Sequence, residues 1–248
     1  LSILLLCCMV LTMLPTTVLA ADGPMDTIPK YDVSIDVYNR TSDISIKDSR
    51  SYYIYSSVPD KLRDTWAWDK KIFIKGDKTA PHVFIDGVNI EMSPSSKGPA
   101  IELNKKASAY IYFIGKNSSL QGADGRAAIQ KNRSEGQLYV LARTGTTVTC
   151  KGGDKAAGIG GSYATRNISN GYYNGDMYGH GVNMHFGSRS NPDYWGGTIA
   201  AIGGNGGAGI GGGGSYGTDG AEVEPDICAL NPSGKIEYLS LIHISEPT

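Results

Sequence analysis

One segment of this chain comes back. VTCKGGDKAAGIGG at Val148–Gly161 recurs as IAAIGGNGGAGIGG at Ile199–Gly212. Fainter copies lie upstream, QGADGRAAI at Gln121–Ile129 and KGPAI at Lys97–Ile101. Ile101, Ile129, Ile159 and Ile210 therefore hold one repeat position, 28, 30 and 51 residues apart. Recurrence at this period marks a stacked array in which each unit buries its apolar face against the next. It argues against a single globular core built around one catalytic centre.

Between the repeat positions run short alternating segments that are β-branched or aromatic. They include Val33–Val37, Ile44–Ile46, Tyr52–Tyr55, Ile72–Ile74, Val83–Ile85, Val88–Ile90, Tyr110–Ile114, Leu138–Leu141 and Thr146–Cys150. Each is bounded by Gly, Asn, Asp, Pro or Lys and reads as a strand. No stretch of a dozen residues carries a capped helical period; Pro59–Lys71 predicts one helical turn or a loop. Three strands fall between Ile101 and Ile129, and three again before Ile159. About three short strands per turn predict an all-β right-handed parallel β-helix, a solenoid whose last turn is incomplete at the C-terminal end. The hand follows the preference of parallel crossovers. The long third interval is read as one turn carrying loop insertions at 162–181 and 187–197. Insertions in a solenoid gather on one face and often carry binding.

The two ends read differently from the body. Residues 1–20, LSILLLCCMVLTMLPTTVLA, resemble the apolar region and cleavage site of a signal peptide with its start cut off. The β-helix domain is then 21–238, in a secreted or extracellular protein, with cell-surface attachment as a further expectation. The last ten residues, LSLIHISEPT at 239–248, resemble a sequencing adapter translated as codons and are read as a scar.

Composition excludes some partners. Lys and Arg total 23 against 24 Asp and Glu, for a net charge of −1, so no polyanion-binding face is expected and nucleic acid is excluded as a partner. After signal removal, Cys150 and Cys228 remain. They are too few for a metal site, and their pairing is left open. Cys150 aligns with Ala201, which favours an inward thiol acting as a small apolar residue. Four sequons, at Asn39, Asn117, Asn132 and Asn167, bear on the protein only in a eukaryotic secretory pathway.

The AGIGG units, with HVFIDGVNIEM and KGPAIEL upstream, resemble repeats of exported β-helix proteins from anaerobic Gram-positive bacteria that are described as carbohydrate-binding. The similarity spans Val33 to about Gly214. It implies secretion or surface display, a β-helix, and binding of plant or host polysaccharide, in some relatives with calcium. The long aromatic insertions depart from that pattern, and this stretch of chain shows no surface anchor.

Two motifs invite an enzymatic reading. Gly204-Asn-Gly206-Gly-Ala-Gly209 matches GxGxxG, but that fingerprint needs a helix to follow, and Ile210-Gly-Gly-Gly-Gly does not propagate one. The repeat also accounts for each glycine. Gly179-His180-Gly181 resembles a motif of pectin-cleaving β-helical glycosidases, which use grouped aspartates. The chain has no Asp-Asp pair.

Two constellations remain as candidate binding residues. Asp124, Asp154 and Asn205 share one repeat position and should stack on a corner, where they either hold Ca²⁺ or simply favour turns. Tyr163, Tyr172, Tyr173, Tyr178, Tyr194 and Trp195 lie in the insertions, where their rings either stack on sugars or pack the loops. Plain coils are expected to offer little aromatic area. The function that follows is a secreted, non-catalytic module binding polysaccharide. A passive stalk or adhesin repeat and a pectin-active lyase or glycosidase are the alternatives.

Overall fold

The computed structural model describes residues 28–76, 78–93, 98–104, 106–131, 135–163, 183–187, 193 and 196–214, with the backbone of 226–227 and 235–239. Its strands form three parallel sheets, and the chain visits them in rotation, which makes a parallel β-helix. The first sheet has seven strands: β1 (Val33–Asp36), β3 (Ser51–Tyr55), β5 (His82–Asp86), β8 (Ala109–Ile114), β11 (Leu138–Ala142), β14 (Met184–Phe186) and β17 (Asp226–Ile227). The second has six: β2 (Ile44–Ile46), β4 (Ile72–Lys75), β7 (Ile101–Asn104), β10 (Ile129–Lys131), β13 (Ile159–Gly160) and β16 (Ile210–Gly211). The third has five: β6 (Asn89–Glu91), β9 (Ser118–Gln121), β12 (Thr147–Lys151), β15 (Thr198–Ile202) and β18 (Lys235–Leu239). Residues 60–62 form a single 3-10 turn, as the sequence suggested for that stretch.

The isoleucine position is one interior column. Ile101, Ile129, Ile159 and Ile210 pair in register, and Ile72 and Ile44 extend the column toward the N-terminus. All six are at most 2% exposed. Parallel strands lie about 4.8 Å apart, so equivalent side chains in successive coils meet directly. Removing this apolar surface from water is the main favourable term holding coil to coil.

One interior column of the third sheet narrows along the chain. Ile90, Leu120, Cys150 and Ala201 pair in sequence, each smaller than the one before or nearly so. In the first sheet, Phe186 of β14 takes the position held by Val140 in the previous coil, and it is fully buried. Cys150 is a free thiol within this core, and its burial pushes the thiol pKa up. It is the inward, apolar cysteine that its alignment with Ala201 suggested. Cys228 lies outside the described residues.

The glycines of AGIGG have separate causes. Gly160 and Gly211 adopt φ of 127° and 144°, which side chains rarely tolerate, and a Cβ on Gly160 would lie 2.1 Å from the Gly211 carbonyl oxygen. Past this point the backbone folds against the turn of the coil before. The Tyr163 amide donates to the Gly125 carbonyl at 3.0 Å, and the Gly214 amide to the Lys155 carbonyl at 2.7 Å. β16 begins directly after Gly209, where the GxGxxG fingerprint needs a helix to start. The GxGxxG there is repeat geometry.

β18 ends at Leu239, the first residue of the segment read as a scar; its backbone pairs with Ile202. Residues 1–27 and 240–248, hence the signal-like segment and the rest of the scar, lie outside the described residues.

Candidate binding corner and outer aromatic face

The corner between the third and second sheets is built three times over. Ala123–Arg126, Gly153–Ala156 and Gly204–Gly207 each close with an amide-to-carbonyl bond of 2.8, 3.0 and 2.8 Å. The third residue of each turn is left-handed: Gly125 at φ 72°, Lys155 at 56° and Gly206 at 73°. A positive φ at this position alone is the mark of a type II turn. The turns stack. The Gly125 amide donates to the Asp154 carbonyl at 3.0 Å, and the Lys155 amide to the Asn205 carbonyl at 2.9 Å.

Asp124, Asp154 and Asn205 thus occupy the second position of successive stacked turns, with exposed side chains. They offer at most three side-chain ligands, against the roughly six to eight oxygens calcium takes. Among the described residues, no group of three or more His, Cys, Asp or Glu side chains is placed to hold a metal ion. The turn geometry accounts for Asp and Asn here without a cation.

The corner also gathers the first residue of the aromatic insertion that is described. Tyr163 is half-buried, its amide bonds the Gly125 carbonyl, and the Lys155 ammonium sits 5.4 Å from its ring centroid. Ser162 beside it is buried. Its hydroxyl accepts from the Ala127 amide at 3.0 Å and donates to the Gln130 side chain. So the structure brings Tyr163 to the same corner as the Asp124–Asp154–Asn205 ladder, though the sequence placed them in separate constellations. Tyr172, Tyr173, Tyr178, Tyr194 and Trp195 lie outside the described residues, as does His180.

A second aromatic feature runs along the plain coils, against expectation. On the outer side of the seven-stranded sheet, His82, Tyr110, Tyr139 and His185 pair in register. Their rings stack at centroid distances of 4.6, 4.4 and 4.5 Å, with interplanar angles of 5°, 9° and 19°. Two residues further along each strand runs a neighbouring row of Tyr53, Phe84, Tyr112 and Leu141. His82 Nδ1 meets the Tyr112 hydroxyl at 3.0 Å and ties the rows together. Burial lowers the pKa of His82. The Tyr53 hydroxyl donates to Asp86 at 2.9 Å, and burial raises its pKa. These residues are every second member of segments already legible as strands. Aligning those segments on the isoleucine repeat would have shown the ladder.

No protein-family model, characterised protein or solved structure matches this chain. The fold is thus established by its strand pairing, and function has to be argued from the surface.

Proposed function

We propose that the chain is a secreted or cell-surface β-helix module that binds polysaccharide without cleaving it, with the stacked-turn corner as its contact surface. The observation that carries this reading is the placement of the half-buried Tyr163 ring beside the exposed ladder of Asp124, Asp154 and Asn205. Carboxylates accept hydrogen bonds from sugar hydroxyls, and an amide both accepts and donates. An aromatic ring adds a surface for the C–H face of a sugar. Repetition of the turn from coil to coil suits a polymer of repeated sugars better than a single small ligand. The non-catalytic part of the reading rests on the sequence, which lacks the adjacent aspartates of the β-helical glycosidases.

Isothermal titration against a panel of soluble plant and microbial polysaccharides tests it. Affinity between about micromolar and millimolar is expected. Tyr163→Ala should weaken binding by about fivefold, the equivalent of one lost ring contact of about 1 kcal/mol. The same samples should release no new reducing ends or unsaturated products. Absence of binding across the panel would leave the passive stalk as the better reading.

A further inference from the structure

Three tyrosine rings join the first coil to the second. Tyr31 lies just before β1, and its ring stacks on Tyr53 of β3 with centroids 5.2 Å apart and planes at 25°. Tyr53 stacks in turn on Tyr55, at 5.1 Å and 14°. Tyr31 and Tyr53 meet opposite conditions. Tyr31 is 40% exposed, whereas Tyr53 is 8% exposed and its hydroxyl donates to Asp86 Oδ2 at 2.9 Å. The other Asp86 oxygen accepts from the Lys116 amide at 2.9 Å, which fixes the carboxylate. Burial, with the carboxylate beside it, raises the Tyr53 pKa, so the neutral phenol is the form present. A neutral phenol gives up an electron readily only where a positioned base takes its proton. Asp86 is such a base.

We propose that Tyr31 and Tyr53 are the site of an oxidative dityrosine bridge, made when a haem peroxidase consumes hydrogen peroxide at the exposed Tyr31. Each phenol loses one electron and one proton. The Tyr53 proton passes through Asp86, and the Tyr31 proton goes to water. The two radicals couple through carbons ortho to the hydroxyls. One C–C bond forms, two C–H bonds break, and those hydrogens return to the oxygens as the rings regain aromaticity. The peroxide takes up the two electrons and two protons and leaves as two waters. Geometry favours this pair over Tyr110 and Tyr139. Those two are held face to face by strands in register, at 9°, with His82 and His185 stacked on their far sides. A bond between ring edges needs the rings side by side. Tyr31 lies three residues before Ser34, the register partner of Tyr53, so its ring reaches Tyr53 from an offset position and is already tilted. The bridge closes residues 31–53 into a loop and holds β1 on β3 covalently.

The proposal shares no residue with the polysaccharide corner, so either can fail alone. The test treats the full chain with a haem peroxidase and hydrogen peroxide, isolates monomer by size exclusion in denaturant, and digests it with trypsin. Peptides Tyr31–Arg40 and Ser51–Lys61 should be recovered joined, with dityrosine fluorescence and a mass two hydrogens below their sum. Fragmentation should place the link on Tyr31 and Tyr53. Tyr31→Phe should abolish it, and Tyr55→Phe should leave it. Asp86→Asn keeps the size of the side chain and removes the base; with its melting transition retained, it should lower the yield severalfold. No joined peptides, coupling only between molecules, or a link through Tyr38, Tyr52 or Tyr55 instead overturns the bridge. An equal yield in Asp86→Asn overturns the part given to the carboxylate.

Discussion

The early and late coils are held together by different means. In the early coils, stacking is a matter of side chains: Ile44, Ile72 and Ile101 fill one column, Ile46, Ile74 and Leu103 the next, and every one is at most 2% exposed. In the late coils the isoleucine column continues through Ile159 and Ile210, and at the glycine-rich corner the backbone itself becomes a contact as well. A Cβ on Gly158 would lie 2.6 Å from the Ile202 amide, and one on Gly207 2.2 Å from the Ala156 carbonyl oxygen. Beside these glycines the side chains shrink to Ala156, Ala157, Ala201 and Ala208, all fully buried. One repeat can thus be met by apolar volume or by close backbone approach. The first tolerates exchange among apolar residues of like size; the second tolerates almost no side chain.

The largest expected effect tests the side-chain half. Ile101→Ala removes a fully buried side chain sandwiched between Ile72 and Ile129. Large-to-small changes in such sites cost about 2–5 kcal/mol. A value near 4 kcal/mol is expected from denaturant unfolding, since stiff stacked strands have little freedom to collapse into the gap. Ile101→Val should cost about 1 kcal/mol. A loss under 1 kcal/mol for the alanine variant would show that this column does not carry the early coils.

Gly160→Ala tests the backbone half. It places a methyl group against the Gly211 carbonyl and forces a side chain into a φ of 127°. Strain of this kind costs about 1–3 kcal/mol before the clash is counted. A loss of about 3 kcal/mol is expected, for the smallest side chain there is. Were Gly160→Ala neutral, the late coils would not depend on close approach, and the contrast between the two regions would fall.

An intermediate effect comes from Lys131, which interrupts the apolar column. It pairs with Leu103, yet is only 1% exposed, and its amine reaches the Glu135 carbonyl at 3.4 Å. Burial lowers its pKa to about 8, with the Glu135 charge partly offsetting this. The folded state thus binds the proton less tightly than the unfolded chain, whose lysine titrates near 10.5. Stability is lowest below pH 8, where both states carry the charge, and rises as pH climbs from 8 toward 10.5. Melting temperature should therefore increase between pH 7.5 and 9.5, before the tyrosines begin to ionise. In Lys131→Met the profile should be flatter, and the variant more stable at pH 7.5 by about 1 kcal/mol. An unchanged slope in Lys131→Met would assign the pH dependence elsewhere.

Much of this was legible in the sequence, for a physical reason. A solenoid translates repeat position directly into spatial column, so Ile101, Ile129, Ile159 and Ile210 could be stacked on paper, and the shared position of Asp124, Asp154 and Asn205 likewise. Tyr163 was harder. Its place at the corner depends on Gly160 and on the fold-back after it, which a single spacing does not reveal. The outer ladder leaves no comparable mark in the linear sequence. His82, Tyr110, Tyr139 and His185 are the outward set of the same strands, and outward aromatics carry no periodic signal until the coils are aligned.

The smallest expected effect isolates the turn itself. Of the three left-handed positions on the corner, two are glycine and one is Lys155, at φ 56°. An L-residue in that conformation costs roughly 1–2 kcal/mol relative to the right-handed region, and glycine avoids the cost. Lys155→Gly should remove that strain. Two losses oppose the gain. Glycine has more freedom to lose on folding, about 0.5–1 kcal/mol, and the ammonium no longer lies over the Tyr163 ring, a contact of about 0.5 kcal/mol at an exposed site. The net should be within about 0.5 kcal/mol of zero by thermal unfolding, in contrast to the loss at Gly160. Lys155→Ala separates the terms, since it keeps the strained backbone and removes the side chain beyond Cβ, the ammonium with it. It should be the less stable of the two variants. If Lys155→Ala proved the more stable, the left-handed turn would not be under strain. The lysine would then be held there by its contact with Tyr163, and the corner would be shaped by side chains, as the early coils are.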